Sequence, residues 1–207
     1  MSKLYLYPLW VRIWHWINAF LFITLIVTGL YIHYTPDWLT SFDFRTSIII
    51  HNITGILLGI LFCLFIIFNF ITGNNIHYKV KLKGLPKRLV RQTVYYMIGI
   101  FRGEPHPFSA SMTSKINPLQ QLTYIGVMLG LFPPLVITGL VLLFPLQATE
   151  LTGTPNIIIW IALAHSILAF FSSIFIAVHI YIATTGDTPW SNFRAMLTGW
   201  HSEKNES

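Results

Sequence analysis

Four long runs of apolar residues dominate the chain, each bounded by segments where charged, Pro and Gly residues collect. They extend from Trp10 to His33, Ser47 to Thr72, Leu119 to Phe144 and Ile157 to Thr184. Each is longer than the ~20 residues a helix needs to cross the hydrocarbon of a bilayer. A spanning segment must satisfy its backbone N–H and C=O groups internally, so apolar runs of this length predict helices. The expectation is an all-α integral membrane four-helix bundle forming one domain over residues 1–207. The first run resembles a signal peptide only in position. It is too long, its flank is barely basic and no small-x-small cleavage site follows, so it is read as a true span.

The connections differ in charge. The long one, Gly73 to Ile116, holds Lys79, Lys81, Lys83, Lys87, Arg88, Arg91, Arg102 and Lys115, and the termini add Lys3, Arg12, Arg194 and Lys204. The other two carry Arg45 alone among basic residues, beside Asp37, Asp43 and Glu150. The positive-inside rule then places both termini and the long loop in the cytoplasm. Gly84-Leu85-Pro86 and Glu104-Pro105-His106-Pro107 break that loop into short pieces. Between them, Arg88 to Phe101 is amphipathic and predicts a helix along the membrane surface. His201 to Ser207 reads as a loose polar tail, and no useful internal repeat is evident. Trp10, Trp38, Trp160 and Trp190 fall near span ends, as an aromatic belt requires.

Composition agrees. Of 207 residues, 54% are hydrophobic and 10% charged, with mean hydropathy +0.63, where soluble domains carry about 25% charged residues. The net charge of +6 is mostly topology, with some attraction to lipid headgroups, and is not read as nucleic-acid binding. Cys63 is the single cysteine. That excludes a disulfide framework, a Cys-x-x-Cys pair and covalent c-type haem attachment within the chain. It is expected to be a small buried hydrophobe.

Against this apolar background, four histidines stand inside the spans: His15, His51, His165 and His179. An ionisable side chain at membrane depth is costly and marks a functional site by default. His165 and His179 lie fourteen residues apart on one span, about 21 Å along a helix axis and nearly on one face. With the orientation above, His15 and His179 share the cytoplasmic side, and His51 and His165 the outer side. Two stacked haems, each held by two imidazoles, use all four residues. Zinc fits poorly, because it needs three or four ligands converging on one point. Gly29, fourteen residues after His15, and Gly55 and Gly59, after His51, offer side-chain-free strips for a flat macrocycle. Helix packing alone would also use them. Arg12, one turn before His15, and Arg45 are placed to pair with haem propionates, although juxtamembrane arginines also serve topology. His33, His77, His106 and His201 fall at span ends or in loops and are assigned to solvated or interfacial roles, His33 lying nearest an outer haem edge. A satisfied core histidine is the plainer reading of any one of the four. Their matched depths favour haem, and two axial imidazoles leave iron no open position, which points to electron transfer.

Three segments resemble a known family. Arg12-Ile13-Trp14-His15-Trp16 with Thr28-Gly29 is similar to the first span of the prokaryotic four-helix di-haem cytochrome b superfamily. That group includes the gamma subunit of formate dehydrogenase and the cytochrome b subunits of nickel-iron hydrogenase and thiosulfate reductase. Lys115-Ile116-Asn117-Pro118-Leu119-Gln120-Gln121-Leu122-Thr123-Tyr124, with Thr138-Gly139, resembles the opening of the third span, nearest the thiosulfate reductase type. His179-Ile180-Tyr181 and Ala195-Met196-Leu197-Thr198-Gly199 resemble the last span and the segment after it. The family ending often runs longer and more acidic than His201 to Ser207.

The resemblance implies two non-covalent b-type haems, ligated by His15 with His179 and by His51 with His165. It implies a quinone (menaquinone-type) substrate beside the cytoplasmic-side haem, contacted by Asn117, with Gln120 and Arg12 as weaker candidates. A helix cap is the alternative role for Asn117, since Asn before Pro is also what a helix start requires. The implied protein is a multi-pass subunit of the bacterial cytoplasmic (inner) membrane. It would pass electrons from quinol to an extracytoplasmic iron–sulfur or multihaem cytochrome subunit and its catalytic partner, in a thiosulfate-reductase-like respiratory complex. Two rivals remain at this stage: a stand-alone superoxide:quinone oxidoreductase, and a haem-free membrane anchor or transporter.

Overall fold

The computed structural model describes residues 2–34, 43–108, 116–186 and 188–203. Asp37, Trp38, Lys115 and Lys204 lie outside them. Strand β1 (Ser2–Tyr5) precedes helices α1 (Leu9–Tyr34), α2 (Phe44–Ile71) and α3 (Leu85–Met97). α4 (Pro118–Ile125), α5 (Phe132–Leu143), α6 (Pro145–Thr152), α7 (Ile157–Ala183), α8 (Ser191–Thr198) and strand β2 (Trp200–Glu203) follow. Among the described residues, four helical stretches are long and apolar enough to cross a membrane: Leu9–Tyr34, Phe44–Ile71, Pro118–Leu143 and Ile157–Ala183. The protein is thus an all-α membrane helical bundle with four spans, each within three residues of its expected bounds.

Local chemistry starts these helices. Asp43 Oδ2 accepts from Thr46 N at 3.0 Å and from Thr46 Oγ1 at 2.9 Å, capping α2. Those bonds hold the exposed Asp43 carboxyl below its ordinary range. The third span is not the single uninterrupted helix its apolar run predicts. Pro133 and Pro134 have no N–H to offer the preceding turn, and a π turn at Gly126–Leu131 separates α4 from α5. Within the long loop the helix expected from Arg88 to Phe101 forms as α3, Leu85–Met97, starting and ending earlier; it is entered through Gly84 in the left-handed region with Pro86 in its first turn.

The chain divides into two compact units, and each span contributes residues to both. One unit comprises residues 13–67 and 129–176. Its core is Leu21 and Phe22 of α1, Leu58 of α2 and Phe132 of α5, with Leu25, Leu61, Phe62, Val136 and Ile176 packed around them. Phe132 meets Phe62 and Phe22 at ring-centroid distances of 4.7 and 5.6 Å. Trp14 stacks on Phe65 at 3.9 Å and donates its indole N–H to the Leu61 carbonyl at 3.1 Å, tying α1 to α2. Cys63 is exposed, not buried as expected. Lipid is as apolar as a protein core, so in a span hydrophobicity does not signal burial.

The other unit comprises residues 1–12, 68–128 and 177–207. Here β1 and β2 pair antiparallel, Leu4 opposite His201 and Tyr5 opposite Trp200. His201 to Glu203 is therefore strand, which corrects the reading of this stretch as loose tail. Leu6 N and Tyr7 N donate to the Gly199 carbonyl at 2.9 and 3.3 Å. Arg12 donates to the Leu197 carbonyl. Gly199 closes α8 at φ 87°, and a Cβ there would stand 2.6 Å from the Tyr5 ring and 2.8 Å from the Tyr7 carbonyl oxygen. Gly199→Ala is expected to cost roughly 1–2 kcal/mol for the left-handed backbone alone, plus the clash. Hydrogen exchange at Leu6 and Tyr7 should accelerate, and unchanged exchange would show that the ribbon does not depend on this turn.

Candidate functional site

His51 lies two turns into α2 and His165 two turns into α7, both in the unit built from residues 13–67 and 129–176. Their rings face each other across 6.4 Å between centroids, at 73° between planes. Each ring is held from behind by a neighbouring helix. On α1, Thr28 Oγ1 lies 2.9 Å from His51 Nδ1. On α5, Thr138 Oγ1 lies 3.0 Å from His165 Nδ1. Each threonine is followed by a glycine that makes room for the ring. A Cβ on Gly29 would stand 3.2 Å from His51 Cε1, and one on Gly139 would stand 3.1 Å from His165 Cε1. The first two spans and the last two thus carry the same device, a chemical repeat that the sequence pattern does not register.

The separation of the rings suits a metal between them. With metal–imidazole bonds of about 2 Å and each ring centre roughly 1.1 Å behind its donor nitrogen, two trans imidazoles place their centroids about 6 Å apart. No group of three or more His, Cys, Asp or Glu side chains that could hold a metal occurs among the described residues. A metal held between these two rings would need further ligands that no such group among the described residues offers, so they would arrive with the metal. A haem meets that requirement.

The remaining expected residues divide between the two units. His15, half-buried, sets its ring edge-on to Trp16 at 5.3 Å in the same unit as His51. His179 belongs to the other unit, where Tyr124 approaches its ring at 6.3 Å. Gly55 and Gly59, assigned to a macrocycle strip or to packing, face Leu25 at 3.9 Å and Val136 at 3.2 Å. His33 and His106 are exposed, as expected of solvated or interfacial histidines.

Asn117 is buried and caps α4. Its Oδ1 accepts from Gln120 N at 2.9 Å, and Gln120 Oε1 accepts from Asn117 N at 3.1 Å, a reciprocal capping box. Asn117 Nδ2 donates to Tyr96 Oη at 2.9 Å. Burial raises the Tyr96 phenol above its ordinary pKa, with the Asn117 bond acting in the opposite sense. Burial pushes the nearby Tyr78 up to about 12. Both phenols are neutral at physiological pH and serve as hydrogen-bonding groups. Gln121 Nε2 donates to the carbonyls of His77 and Lys79 at 2.8 and 2.9 Å, fastening the long loop to α4.

Sequence reasoning assigned no role to Thr28, Thr138 or Gly139 beyond family resemblance. The Thr-Gly dipeptide could not have singled them out, because it occurs seven times in the chain, Thr54-Gly55 inside the second span among them.

Comparison with known proteins gives two matches. The family model for prokaryotic cytochrome b561 matches residues 6–199. The Escherichia coli (strain K12) protein named "Putative cytochrome YdhU" is 40% identical over 200 residues, covering 97% of this chain and 75% of that protein. No solved structure matches.

The glycine contacts generate a test. Gly29→Ala and Gly139→Ala each press a methyl group on an imidazole edge and are expected to weaken haem retention about tenfold, the low end of the effect of disturbing groups behind a metal ligand. Gly55→Ala, whose Cβ meets only Leu25 at ordinary contact distance, should leave retention unchanged. Haem per chain after purification, by pyridine haemochrome, reads the difference. Equal retention in all three variants would detach the glycines from the site.

Proposed function

The chain belongs to the prokaryotic cytochrome b561 family, and from that premise we propose that it is a di-haem electron-transfer subunit linking the quinone pool to an extracytoplasmic redox partner. Family membership makes it a membrane cytochrome that carries b-type haem and contacts lipid. The observation that carries the finer reading is the facing of His51 and His165 at 6.4 Å with both Nδ1 atoms already bonded to threonines. In this reading His51 and His165 would hold one haem through their Nε2 atoms, and His15 and His179 would hold a second. When bound, haem supplies reversible one-electron chemistry whose potential follows axial ligation, hydrogen bonding and burial.

The chain's own residues do the rest. Leu21, Phe22, Leu58 and Phe132 form the apolar core of the unit that holds His51 and His165, and exclusion of water from such a site would raise the strength of its electrostatics. Asn117, Tyr96, Gln120 and Arg12 are proposed to line the quinone site. An amide carries two N–H protons, enough to serve both Tyr96 and a quinone carbonyl. The charge distribution favours a cytoplasmic position for this site and both termini in a bacterial inner membrane. The likeness of its third span to the thiosulfate reductase type favours quinol oxidation feeding a reductase. An iron–sulfur or multihaem cytochrome subunit is the proposed partner outside, since no substrate-converting metal cluster of His, Cys, Asp or Glu occurs among the described residues.

Detergent-purified protein is expected to hold two b-type haems per chain, and His51→Ala or His165→Ala one. Zero haem in folded protein overturns the relay. A menaquinol analogue should reduce the haems of the intact chain, and Asn117→Ala should slow that reduction at limiting quinol while sparing haem content. Reduction that is indifferent to Asn117 removes it from the quinone site.

A further inference from the structure

Thr28 and Thr138 each back-bond to their own helix while touching a histidine, and this settles where the protons are. Thr28 Oγ1 lies 2.7 Å from the Thr24 carbonyl oxygen and 3.3 Å from that of Leu25. Thr138 Oγ1 lies 2.8 Å from the Pro134 carbonyl oxygen and 3.0 Å from that of Leu135. A hydroxyl has one proton and a carbonyl only accepts, so each hydroxyl proton is committed to the backbone. What each threonine turns toward its histidine is a lone pair. For the contacts at 2.9 and 3.0 Å to be hydrogen bonds, His51 Nδ1 and His165 Nδ1 must carry the hydrogens. Each ring then carries a hydrogen at Nδ1, and in its neutral form the Nε2 lone pair is left to bind a metal.

We propose that Thr28 and Thr138 are positioning residues that fix the tautomer, the ring plane and the donor strength of both axial ligands of one haem. The proposal rests on His51 and His165 being those ligands. The threonine takes Nδ1–H while the adjacent glycine abuts Cε1, so two successive atoms of each ring are fixed and the ring neither flips nor rolls. The angle between the two rings, 73°, becomes a property of helix packing. A hydroxyl acceptor also lends the imidazole some electron density, which strengthens Nε2 as a donor and favours ferric over ferrous iron. Because both ligands use the same acceptor, the two contributions act on one iron in the same direction.

The test uses the full haem-loaded chain and the near-isosteric pairs Thr28→Val and Thr28→Ser, Thr138→Val and Thr138→Ser. Optical redox titration should show one haem of each valine variant shifted toward the reduced form about tenfold in its oxidised-to-reduced ratio, roughly 59 mV for a one-electron couple. The other haem should be unmoved, and serine should restore the wild-type value. The ferric electron paramagnetic resonance signal of the same haem should change in the valine variants, because ring planes no longer pinned near perpendicular alter the splitting of the iron d orbitals. If Thr28→Val loses that haem while Thr28→Ser keeps it, the hydroxyl is again the required group. The proposal is overturned if valine leaves potential and signal unchanged, or if serine fails to restore either. His51→Ala separates the underlying assumption: loss of one haem sustains it, and retention of both rejects the ligand assignment and the positioning role together.

Discussion

An imidazole inside an apolar span has two nitrogens to satisfy, and hydrocarbon satisfies neither. At His51 and His165 the protein spends one nitrogen of each ring on a threonine of an adjacent helix. Those threonines are available because threonine can return its own proton to the preceding turn of its helix. The glycine that follows each one allows the ring close to bare backbone. Helix neighbours, rotamers and small-residue positions around this end of the bundle all follow from that one requirement. The two rings so held stand 6.4 Å apart, centroid to centroid.

The same requirement operates differently where the third span begins. Asn117, Gln120 and Gln121 satisfy helix-start and loop backbone groups. Only the Asn117 amide reaches sideways, to the Tyr96 phenol. A capping residue is rigid by construction, since two reciprocal bonds hold it, and a rigid donor is a better partner for a quinone carbonyl than a mobile one. Capping and the proposed ligand contact are therefore compatible roles for Asn117, the cap supplying rigidity that such a contact would use.

What could be read in the sequence was what lipid enforces. Run length gives the spans because no shorter apolar helix crosses a bilayer. Histidines stand out because burying them idly is costly, and their depths follow from a rise of ~1.5 Å per residue. The threonines were hidden because back-bonding threonine is ordinary in such helices: Thr24 and Thr72 make the same i−4 bond, and nothing local tells which one also faces a histidine. The terminal ribbon was hidden for a related reason. Residues 2–5 and 200–203 pair across nearly the whole chain, and neither segment alone alternates strongly enough to announce a strand. Pro133 and Pro134 were visible, but an apolar run drew the eye past the break they impose on the third span.

The spacing of the histidine rings gains its permanence from the layer beneath them. Seven residues from His51 is Leu58, seven from His165 is Ser172, seven before Gly29 is Phe22 and seven before Gly139 is Phe132. These four are 2, 5, 7 and 3% exposed, in a unit whose other spanning residues are mostly open to lipid. Two helical turns less about 20° separate the layers on every segment, so the helices keep a common phase and the layers register. A layer of two phenylalanines and a leucine at close packing resists compression. The helices beside it cannot approach or part without disturbing it, and the His51 to His165 separation is thereby fixed by packing before any cofactor arrives. Such preorganisation would suit the proposed electron-transfer site, because a ligand geometry that need not change with oxidation state keeps reorganisation small.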